Sequence, residues 1–503
     1  AIEAFRDCNL ENIDFPEGLE TIGENAFEEC DLRSIVIPDS VATLGDSVFA
    51  GNYRLTNLVI GAGIEYIPAN AFYFSSLTEI DIPEGVVEVG NWAFSGPPIR
   101  KLTVPSSLKR VFNSGLGSAE EVHISDLKAW CEIDFCPNMP WTGFGTGNPL
   151  EYGGKLYLNG EIVTELALPG NVNHVRGASF TGCTSIEKVN LREGVQSVGM
   201  CAFYGCPNLE KVEIPSTVSF IGACAFSGVR EIEVSSGNPY YASLDGALYS
   251  KDFSTLLHWP AAKGTVSLPS AVTCIEDGAF AKNSAIESVS LPGNLVEIGA
   301  GAFYRCAGLR EIDLPSSLSV LGEAAFYRCS SLQSMELPSS LAEVPANAFG
   351  YCENLASVKL GGNTRTIGAG AFFGCSKLEY IDLPESLEAL EHGVFENLTS
   401  LKGLELPSAI EEIPYYALSG CTNLEYLILP SNLRRLGMYS LSHGCGAFEC
   451  LVVPDGIEEI DDYALFYCGF KTAFLPSSMR DWDGAQSSCD IKYYDGSLTW
   501  AEA

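Results

Sequence analysis

Apolar and polar positions alternate along this chain in short blocks that return about every 23 residues. In residues 209–215, Val212 and Ile214 alternate with charged neighbours, the period of two expected of a short strand with one exposed face. Pro215 ends this strand because proline has no N–H for a continuing ladder. The apolar residues that follow, up to Phe226, are predicted to turn inward. Because no block buries its side chains alone, the blocks are predicted to stack as rungs of a solenoid.

One apolar residue marks the same position in each block and fixes the period. These eighteen anchors lie 22 to 24 residues apart within three runs. They are Phe5, Phe27, Phe49, Phe72, Phe94, Leu116, Phe180, Phe203, Phe226, Phe280, Phe303, Phe326, Phe349, Phe372, Phe395, Leu418, Leu441 and Leu465. A proline or its substitute precedes the anchor by eleven residues, so the variation in period falls after the anchor, where a turn absorbs it.

The full pattern reads Leu-Pro-x-x-Leu-x-x-Ile-Gly-x-x-Ala-Phe-x-x-Cys-x-x-Leu-x-x-Ile. It resembles the BspA-type leucine-rich repeat family of bacterial surface proteins, and the resemblance covers almost the whole chain. The resemblance implies an α/β-type repeat solenoid: a right-handed leucine-rich-repeat superhelix with a parallel concave sheet, about 18 rungs and two inserted β-hairpin segments. Leucine in place of phenylalanine at the last three anchors is a conservative departure.

The anchors divide one continuous repeat domain into six segments. We expect N-terminal repeats at 1–117, an insertion at 118–168, repeats at 169–234, a hairpin insertion at 235–264, repeats at 265–475 and a C-terminal cap or tail at 476–503. The chain opens inside a rung, which predicts a fragment of a longer protein with a truncated start.

Local signals describe the two insertions and the tail. Residues 125–130 predict a capped helical turn, residues 137–149 a loop, and Asn159-Gly160 the turn of a hairpin. Residues 243–249 and 255–259 are interpreted as the two strands of the second insertion. Both insertions are interpreted as scaffold, with a binding site as the alternative. In the tail, Trp482, Ile491, Tyr493, Tyr494 and Trp500 are expected to cover the last rung.

Ten of the eighteen cysteines follow an anchor by three residues, in a slot that elsewhere holds Asn, Ser, Pro, Val or Leu. This tolerance indicates a small, buried residue in a turn, so we expect a ladder of free thiols. Cys201 and Cys224 share another column in adjacent rungs and are the best candidates for a bridge among the columns. Cys445 and Cys450 with His443 suggest a metal site, but the ligand set is incomplete.

The remaining composition excludes several classes of function. With 64 acidic and 29 basic residues, the chain carries a formal charge of −35, which opposes binding to nucleic acid and to anionic membranes. The sequence contains no run of about 18 apolar residues, the length that a membrane span needs. The five histidines are expected on the surface or in turns, and no catalytic, nucleotide-binding or calcium-loop motif is present. No cofactor or metal is therefore expected, and an enzyme would need a polar cleft between an insertion and the solenoid, with strongly perturbed carboxylate pKa values.

The outward positions of the strands change character towards the C-terminus. They are largely acidic in the middle of the chain and become aromatic or apolar further on. The predicted partner-binding patch consists of Tyr380, Tyr426, Ile428, Val452 and Phe474. The alternative is that the C-terminal tail folds over these residues. A second aromatic stripe directly after the anchors is interpreted as packing between rungs.

The resemblance implies a non-enzymatic, secreted or cell-surface bacterial protein, an adhesin-like monomer that binds a host protein or glycan through the solenoid surface. The alternative is a structural spacer that presents another domain of a longer surface protein.

Overall fold

A computed structural model describes residues 1–142, 145–261, 264–482 and 487–496. The chain forms two compact units, whereas the repeat alone predicts a single domain. Unit 1 comprises Ala1–Lys251 with His258–Pro260, and unit 2 comprises Asp252–Leu257 with Ala261–Ala503. A typical rung contributes one strand to a main column and one strand to a short column. Each column comprises several sheets, within which neighbouring strands of the column pair in parallel.

Unit 1 contains nine of the eighteen anchors and the first insertion. Its main column consists of β2 (Ser34–Val36), β4 (Asn57–Val59), β6 (Glu79–Asp81), β8 (Ile99–Val104), β10 (Ala119–Ile124), β11 (Lys155–Leu158), β13 (Glu165–Ala167), β15 (Lys188–Asn190), β17 (Lys211–Ile214) and β19 (Glu231–Val234). Its short column consists of β1 (Thr21–Ile22), β3 (Thr43–Leu44), β5 (Tyr66–Ile67), β7 (Glu88–Val89), β9 (Arg110–Val111), β14 (His174–Val175), β16 (Ser197–Val198) and β18 (Phe220–Ile221). Outside the columns are β12 (Glu161–Ile162), β20 (Tyr241–Leu244), β21 (Ala247–Ser250) and helix α1 (Leu127–Cys131).

Unit 2 repeats the same plan. Its main column consists of β23 (Thr265–Ser267), β25 (Ser288–Ser290), β27 (Glu311–Ile312), β29 (Ser334–Glu336), β31 (Ser357–Lys359), β33 (Tyr380–Asp382), β35 (Gly403–Glu405), β37 (Tyr426–Ile428), β39 (Cys450–Val452), β41 (Thr472–Pro476) and β42 (Asp490–Tyr494). Its short column consists of β24 (Cys274–Ile275), β26 (Glu297–Ile298), β28 (Val320–Leu321), β30 (Glu343–Val344), β32 (Thr366–Ile367), β34 (Ala389–Leu390), β36 (Glu412–Ile413), β38 (Arg435–Leu436) and β40 (Glu459–Ile460). Strand β22 (Thr255–His258) pairs with β24, and a 3-10 turn spans Ser477–Met479.

The anchors from Phe27 onwards form the core of each unit, whereas Phe5 in the first rung is 46% exposed. Neighbouring anchor rings stack nearly parallel, with centroids 5.1 Å apart for Phe5 and Phe27 in unit 1 and 5.0 Å apart for Phe303 and Phe326 in unit 2. Phe326 is fully buried, and the strand residues Ile312 and Leu321 of the same rung are also buried. Burial of a phenylalanine side chain contributes about 1.5–3 kcal/mol, so the anchor column is a principal source of stability.

Helix is almost absent, because left-handed residues flank the anchors. The residue two before each of the eighteen anchors has a positive φ, and so does the residue two after in nearly every rung. In one rung these residues are Ala324 (φ 54°) and Arg328 (φ 61°), on either side of Phe326. Such residues interrupt any helix and turn the anchor inward. The chain opposite the strands is therefore a series of turns, and α1 is the one α-helix in the described ranges.

Backbone hydrogen bonds between rungs run in two directions. In the short column, the N–H groups of Val320 and Gly322 donate to the preceding rung, to Val296 and Ile298 at 3.1 and 2.8 Å. In the anchor turn, the N–H of Phe326 and those of its two left-handed neighbours donate to the following rung at 2.8–2.9 Å. Each rung is thereby tied to both neighbours.

The predicted solenoid is confirmed, with about 20 turns rather than about 18. The difference arises because the insertions contribute strands that carry no anchor. In the first insertion, β10 pairs in parallel with β8 and β11, which continues the main column.

The local predictions for the insertions are mostly confirmed. Asp126 caps α1 by accepting bonds from the N–H groups of Lys128 and Ala129, and β11 and β12 form the hairpin around Asn159-Gly160. The single strand predicted for residues 243–249 is wrong. Asp245 and Gly246 have positive φ values of 53° and 81°, so the segment turns and β20 pairs antiparallel with β21.

In the tail, β42 pairs in parallel with β41, the indole N–H of Trp482 donates to the Ile460 carbonyl at 3.0 Å, and the Tyr494 hydroxyl donates to the Val453 carbonyl at 2.7 Å. The described tail thus continues the main column. Trp500, expected in the cap, lies outside the described residues.

Candidate functional site

Three of the five residues of the predicted patch lie around one groove in unit 2. Tyr380, Tyr426 and Ile428 line an open groove of about 440 Å³ on the outward face of β33, β35 and β37. Their exposed fractions are 53%, 39% and 44%, although each lies next to a buried strand residue. The alternation of the strand therefore places these apolar side chains on the solvent face.

The groove exists because the rung between the two tyrosines has a glycine at the equivalent position. Gly403 pairs in register with Tyr426 on β37. The Tyr426 ring lies directly on this glycine, since a Cβ there would be 2.0 Å from the ring carbon Cζ. On the other side, the ammonium group of Lys402 lies 5.6 Å from the centroid of the Tyr380 ring and pairs with Glu379. Both tyrosine rings are thus held in place by the intervening rung.

Carboxylates form the polar part of the groove. Asp382, Glu385 and Glu405 line it and are exposed. None of the three makes an ion pair with another described residue. The groove therefore combines aromatic surface with uncompensated negative charge.

Val452 and Phe474 lie on the next two rungs, in the column that contains Ile428. They pair in register with each other, and both are half-buried. Phe474 also faces Lys492 of β42, whose ammonium lies 5.4 Å from the ring centroid. The structure thus brings Tyr380, Tyr426 and Ile428 to one groove and places Val452 and Phe474 beyond it.

The described part of the tail leaves the groove uncovered. Strand β42 lies alongside β41 at the level of Phe474, and Tyr380, Tyr426 and Ile428 stay exposed. The alternative expectation, a tail folded over the whole patch, is not what residues 487–496 do.

A second aromatic cluster was missed by the sequence prediction. Tyr416, Tyr439 and Tyr463 occupy the left-handed position two before successive anchors, and their rings stack at 5.0 and 5.2 Å. Tyr415 hydrogen-bonds to Tyr416 and raises the pKa of its hydroxyl to about 12. The missed signal is the run of tyrosines at a position that holds Gly, Ala or Asn in most other rungs. The stripe that was predicted directly after the anchors packs between rungs, as in the Tyr304–Tyr327 stack at 5.9 Å.

The cysteine column satisfies the carbonyl groups of the anchors. All eighteen cysteines carry free thiols, including Cys201 and Cys224. In the column, the thiol of Cys375 donates to the carbonyl of Phe349, the anchor of the preceding rung, at 3.1 Å. Asn52, in the same slot, donates to Phe27 at 2.8 Å. Burial raises the pKa of Cys375 and of Cys421 to about 12, so these thiols stay protonated.

Cys468 differs from the buried members of this column. It is only partly buried, and its thiol accepts a hydrogen bond from the thiol of Cys489 in the tail, which lowers the pKa of Cys468. The same contact raises the pKa of Cys489. The two residues are adjacent because β42, which follows Cys489, pairs with β41.

One histidine prediction is wrong. His258 is 4% exposed, and its Nε2 lies 3.1 Å from the carbonyl of Val229. Burial lowers the pKa of His258 to about 4. The carbonyl partner makes the neutral ring acceptable in the core of unit 1.

In the described ranges, no group of three or more His, Cys, Asp and Glu residues is arranged to hold a metal ion. No helix among those residues is long and apolar enough to cross a membrane. A polar cleft does lie beside the first insertion in unit 1, between Arg110 and His174.

The comparisons agree with the fold. The model of the BspA type leucine rich repeat region matches in six copies, over residues 1–116, 153–242, 263–376 and 342–472. No curated protein sequence matches the chain.

Two solved structures illustrate the similarity. A leucine-rich repeat protein from Eubacterium ventriosum is 18% identical, with 78% of this chain and 83% of that chain covered and a TM-score of 0.39. A leucine rich cell surface protein from Faecalibacterium prausnitzii is 22% identical, with 82% and 83% covered and a TM-score of 0.38. On the strength of the repeat model, which matches most of its length, this chain belongs to the BspA-type leucine-rich repeat family.

Proposed function

We propose that this chain is a non-enzymatic binding protein, secreted or displayed on a bacterial cell surface, that acts as an adhesin for a host protein or glycan. Solenoids of this family are typically binding scaffolds, and a structurally similar protein is described as a cell surface protein. The observation that carries the proposal is the groove between Tyr380 and Tyr426. It presents aromatic side chains on the sheet face that repeat proteins use for binding.

The chemistry of the groove favours a ligand with cationic or hydroxyl groups. Asp382 and Glu405 lie beside the aromatic rings and have no internal ion-pair partner in the described structure. Tyrosine at a contact surface supplies apolar area together with a hydrogen-bonding hydroxyl. A polypeptide segment with Lys or Arg side chains fits this combination best, because ammonium and guanidinium groups bind both carboxylates and aromatic faces.

The first experiment is a binding screen of the full chain against host matrix proteins and glycans. We expect at least one saturable partner, and we expect basic proteins among the positives. If no host component binds, the chain is better described as a structural spacer.

The second experiment assigns the surface. Tyr380→Ala with Tyr426→Ala is expected to weaken binding of the identified partner at least tenfold. Tyr53→Ala, which removes a tyrosine that is 65% exposed in unit 1, is the matched control and should bind as the native chain does. The double variant Tyr426→Ala with Phe474→Ala should have the same thermal unfolding midpoint as the native chain. If this variant also binds the partner with native affinity, the patch is not the binding surface.

A third variant tests the shape of the groove. Gly403→Ala introduces a methyl group where the Tyr426 ring now lies. We expect this ring to swing away and binding to fall, with little loss of stability because an exposed side chain can move. Native affinity for Gly403→Ala would show that the ligand does not enter between the tyrosines.

A further inference from the structure

The polar cleft in unit 1 is separate from the groove described above. It has a volume of about 520 Å³ and lies between β9 and β14, where the first insertion interrupts the short strand column. Cavities of about 300–1,000 Å³ are usual for small-molecule sites. The cleft is therefore large enough for a monosaccharide or a compound of similar size.

The interruption leaves backbone donors without a strand to pair with. In regular rungs, the N–H groups at the start of the short strand donate to the preceding rung, as those of Gln196 and Ser197 do to the carbonyl of Asn173. The equivalent N–H groups on β14 belong to Asn173 and His174, and β14 is an edge strand of its sheet. The insertion provides an acceptor only two residues further along the chain, where the Cys131 carbonyl accepts from the N–H of Arg176 at 3.0 Å. The N–H groups of Asn173 and His174 are thus directed towards the cleft.

The carboxylates of the cleft are already paired. Arg110 contacts Glu88 at 3.6 Å and Asp134 at 3.5 Å. Glu132 contacts Lys128 at 2.9 Å. Three carboxylates therefore share two cations, Arg110 and Lys128, and one negative charge of the cleft is left unmatched by these pairs.

Its remaining charges are positive. Lys109 and Arg176 line the cleft, and neither makes an ion pair with another described residue. His174 adds a ring whose Nδ1 is bonded to the Ser197 hydroxyl at 2.8 Å, which leaves Nε2 for a ligand. The two cations exceed the one unmatched carboxylate charge, and such an excess of positive charge beside backbone N–H donors is unexpected in a chain with a net charge of −35. They form the type of donor set that binds oxyanions.

We propose that this cleft binds the oxyanion group of a small ligand, a carboxylate, sulfate or phosphate. The N–H groups of Asn173 and His174 donate to the oxyanion, and Lys109 and Arg176 compensate its charge. An acidic monosaccharide and a free inorganic anion share this chemistry, and the two sources are separated by the choice of ligand.

The test is calorimetric titration of the full chain with glucuronate, with a sulfated N-acetylhexosamine, with inorganic sulfate and with glucose. We expect saturable binding of at least one of the anions and none of glucose. Binding of a sugar acid or sulfated sugar more tightly than sulfate identifies a glycan ligand. Binding of sulfate alone identifies a free anion.

Variants locate the site. Lys109→Ala with Arg176→Ala is expected to weaken anion binding at least tenfold, since both charge-assisted contacts to the anion are lost. Arg100→Ala is the matched control, because Arg100 is an exposed cation of the same unit that does not line the cleft. In amide NMR spectra, the N–H signals of Asn173 and His174 should shift as the anion is added. Absence of saturable binding at millimolar concentrations, or an equal loss in Arg100→Ala, would overturn the proposal.

Discussion

The thiols three residues after the anchors act as weak hydrogen-bond donors in buried turns. Each anchor carbonyl points to the next rung, where the Cys306, Cys329 or Cys375 thiol donates to it at 3.1 Å. A buried carbonyl without a partner costs about 1–3 kcal/mol, so a small side chain with one donor suits this slot. Leu398 and Val229 fill the same slot without donating, which shows that packing is the stricter requirement.

The thiols should differ widely in reactivity. At mildly alkaline pH, iodoacetamide is expected to modify Cys468 in the native chain well before Cys375 or Cys421. Its pKa is lowered by Cys489, whereas burial raises theirs to about 12, and only thiolates react. Mass spectrometry of peptides after timed labelling measures these rates.

Two controls complete the labelling experiment. In denaturant all eighteen cysteines should react, and Cys489→Ala should slow the labelling of Cys468 because the donor to its thiolate is lost. Equal native rates for Cys468 and Cys375 would contradict this account.

The buried His258 predicts a dependence of stability on pH. Its folded-state pKa of about 4 lies below the usual 6.5, so between these values the unfolded chain binds a proton that the folded chain does not. The contribution of this residue to stability is therefore constant above pH 6.5 and falls as the pH drops towards 4. The total loss is about 3 kcal/mol, at 1.36 kcal/mol per pKa unit.

His258→Gln isolates this effect from the titration of carboxylates. The Gln amide can still donate to the Val229 carbonyl, so we expect stability near that of the native chain at neutral pH and a smaller loss on acidification. Denaturant unfolding at several pH values gives the comparison, with the exposed His392→Gln as control. If the native chain and the His258→Gln variant lose the same stability on acidification, His258 is not the group responsible.

At the scale of elements, the glycine that follows the short strand sets how closely rungs approach. A Cβ on Gly322 would be 2.2 Å from the backbone nitrogen of Ala300 in the preceding rung, and one on Gly45 would be 2.2 Å from that of Glu24. The Ile-Gly column of the sequence is thus explained by backbone contact, which neither periodicity nor composition reveals.

Gly322→Ala is therefore expected to destabilise unit 2 by about 1–3 kcal/mol or more. This is the range typical of overpacking, and here backbone rather than a side chain must move. Gly293→Ala provides the matched control. A Cβ there has no atom within 4 Å, and it should change stability by less than about 1 kcal/mol. The thermal unfolding midpoints of the two variants test this difference. Equal midpoints would show that this contact does not limit how closely the rungs approach each other.

How much the sequence predicts also depends on the element. The anchors predicted the rungs because identical positions repeat, and Asn159-Gly160 predicted its hairpin because few turns accept that pair. The parallel pairing of β10 and β11 with the main column was not predicted, because these strands lack an anchor. In the groove, the alternation of the strands predicted that Tyr380 and Tyr426 face outward. The groove between them exists because residue 403 is a glycine without a side chain, and the pattern of apolar and polar positions does not predict this.

At the scale of the whole molecule, the charge of −35 predicts a response to salt. Exposed carboxylates line the strand columns of both units, as at Glu79 and Asp81 in unit 1 and Glu311 and Asp313 in unit 2. Their mutual repulsion destabilises the folded chain and is screened as the Debye length falls from about 30 Å at 10 mM to about 8 Å at 150 mM salt.

Raising NaCl over this range is therefore expected to raise the thermal unfolding midpoint. Choline chloride at equal ionic strength should give the same rise, which separates screening from binding of a specific cation. A midpoint that falls or stays constant would mean that the ion pairs between rungs, such as Lys359 with Glu336, outweigh the repulsion.

The two directions of hydrogen bonding between rungs have an electrostatic consequence of their own. Peptide dipoles in an α-helix add head to tail and leave partial charges at its ends. Here the short-strand N–H groups of Val320 and Gly322 point to the preceding rung, while those of Ala324, Phe326 and Arg328 point to the following one. The dipoles of the two segments oppose each other within every rung. A rung can therefore be added to such a stack without strengthening a field along its length, so the length of the array is free to vary while the electrostatics of its ends stay the same.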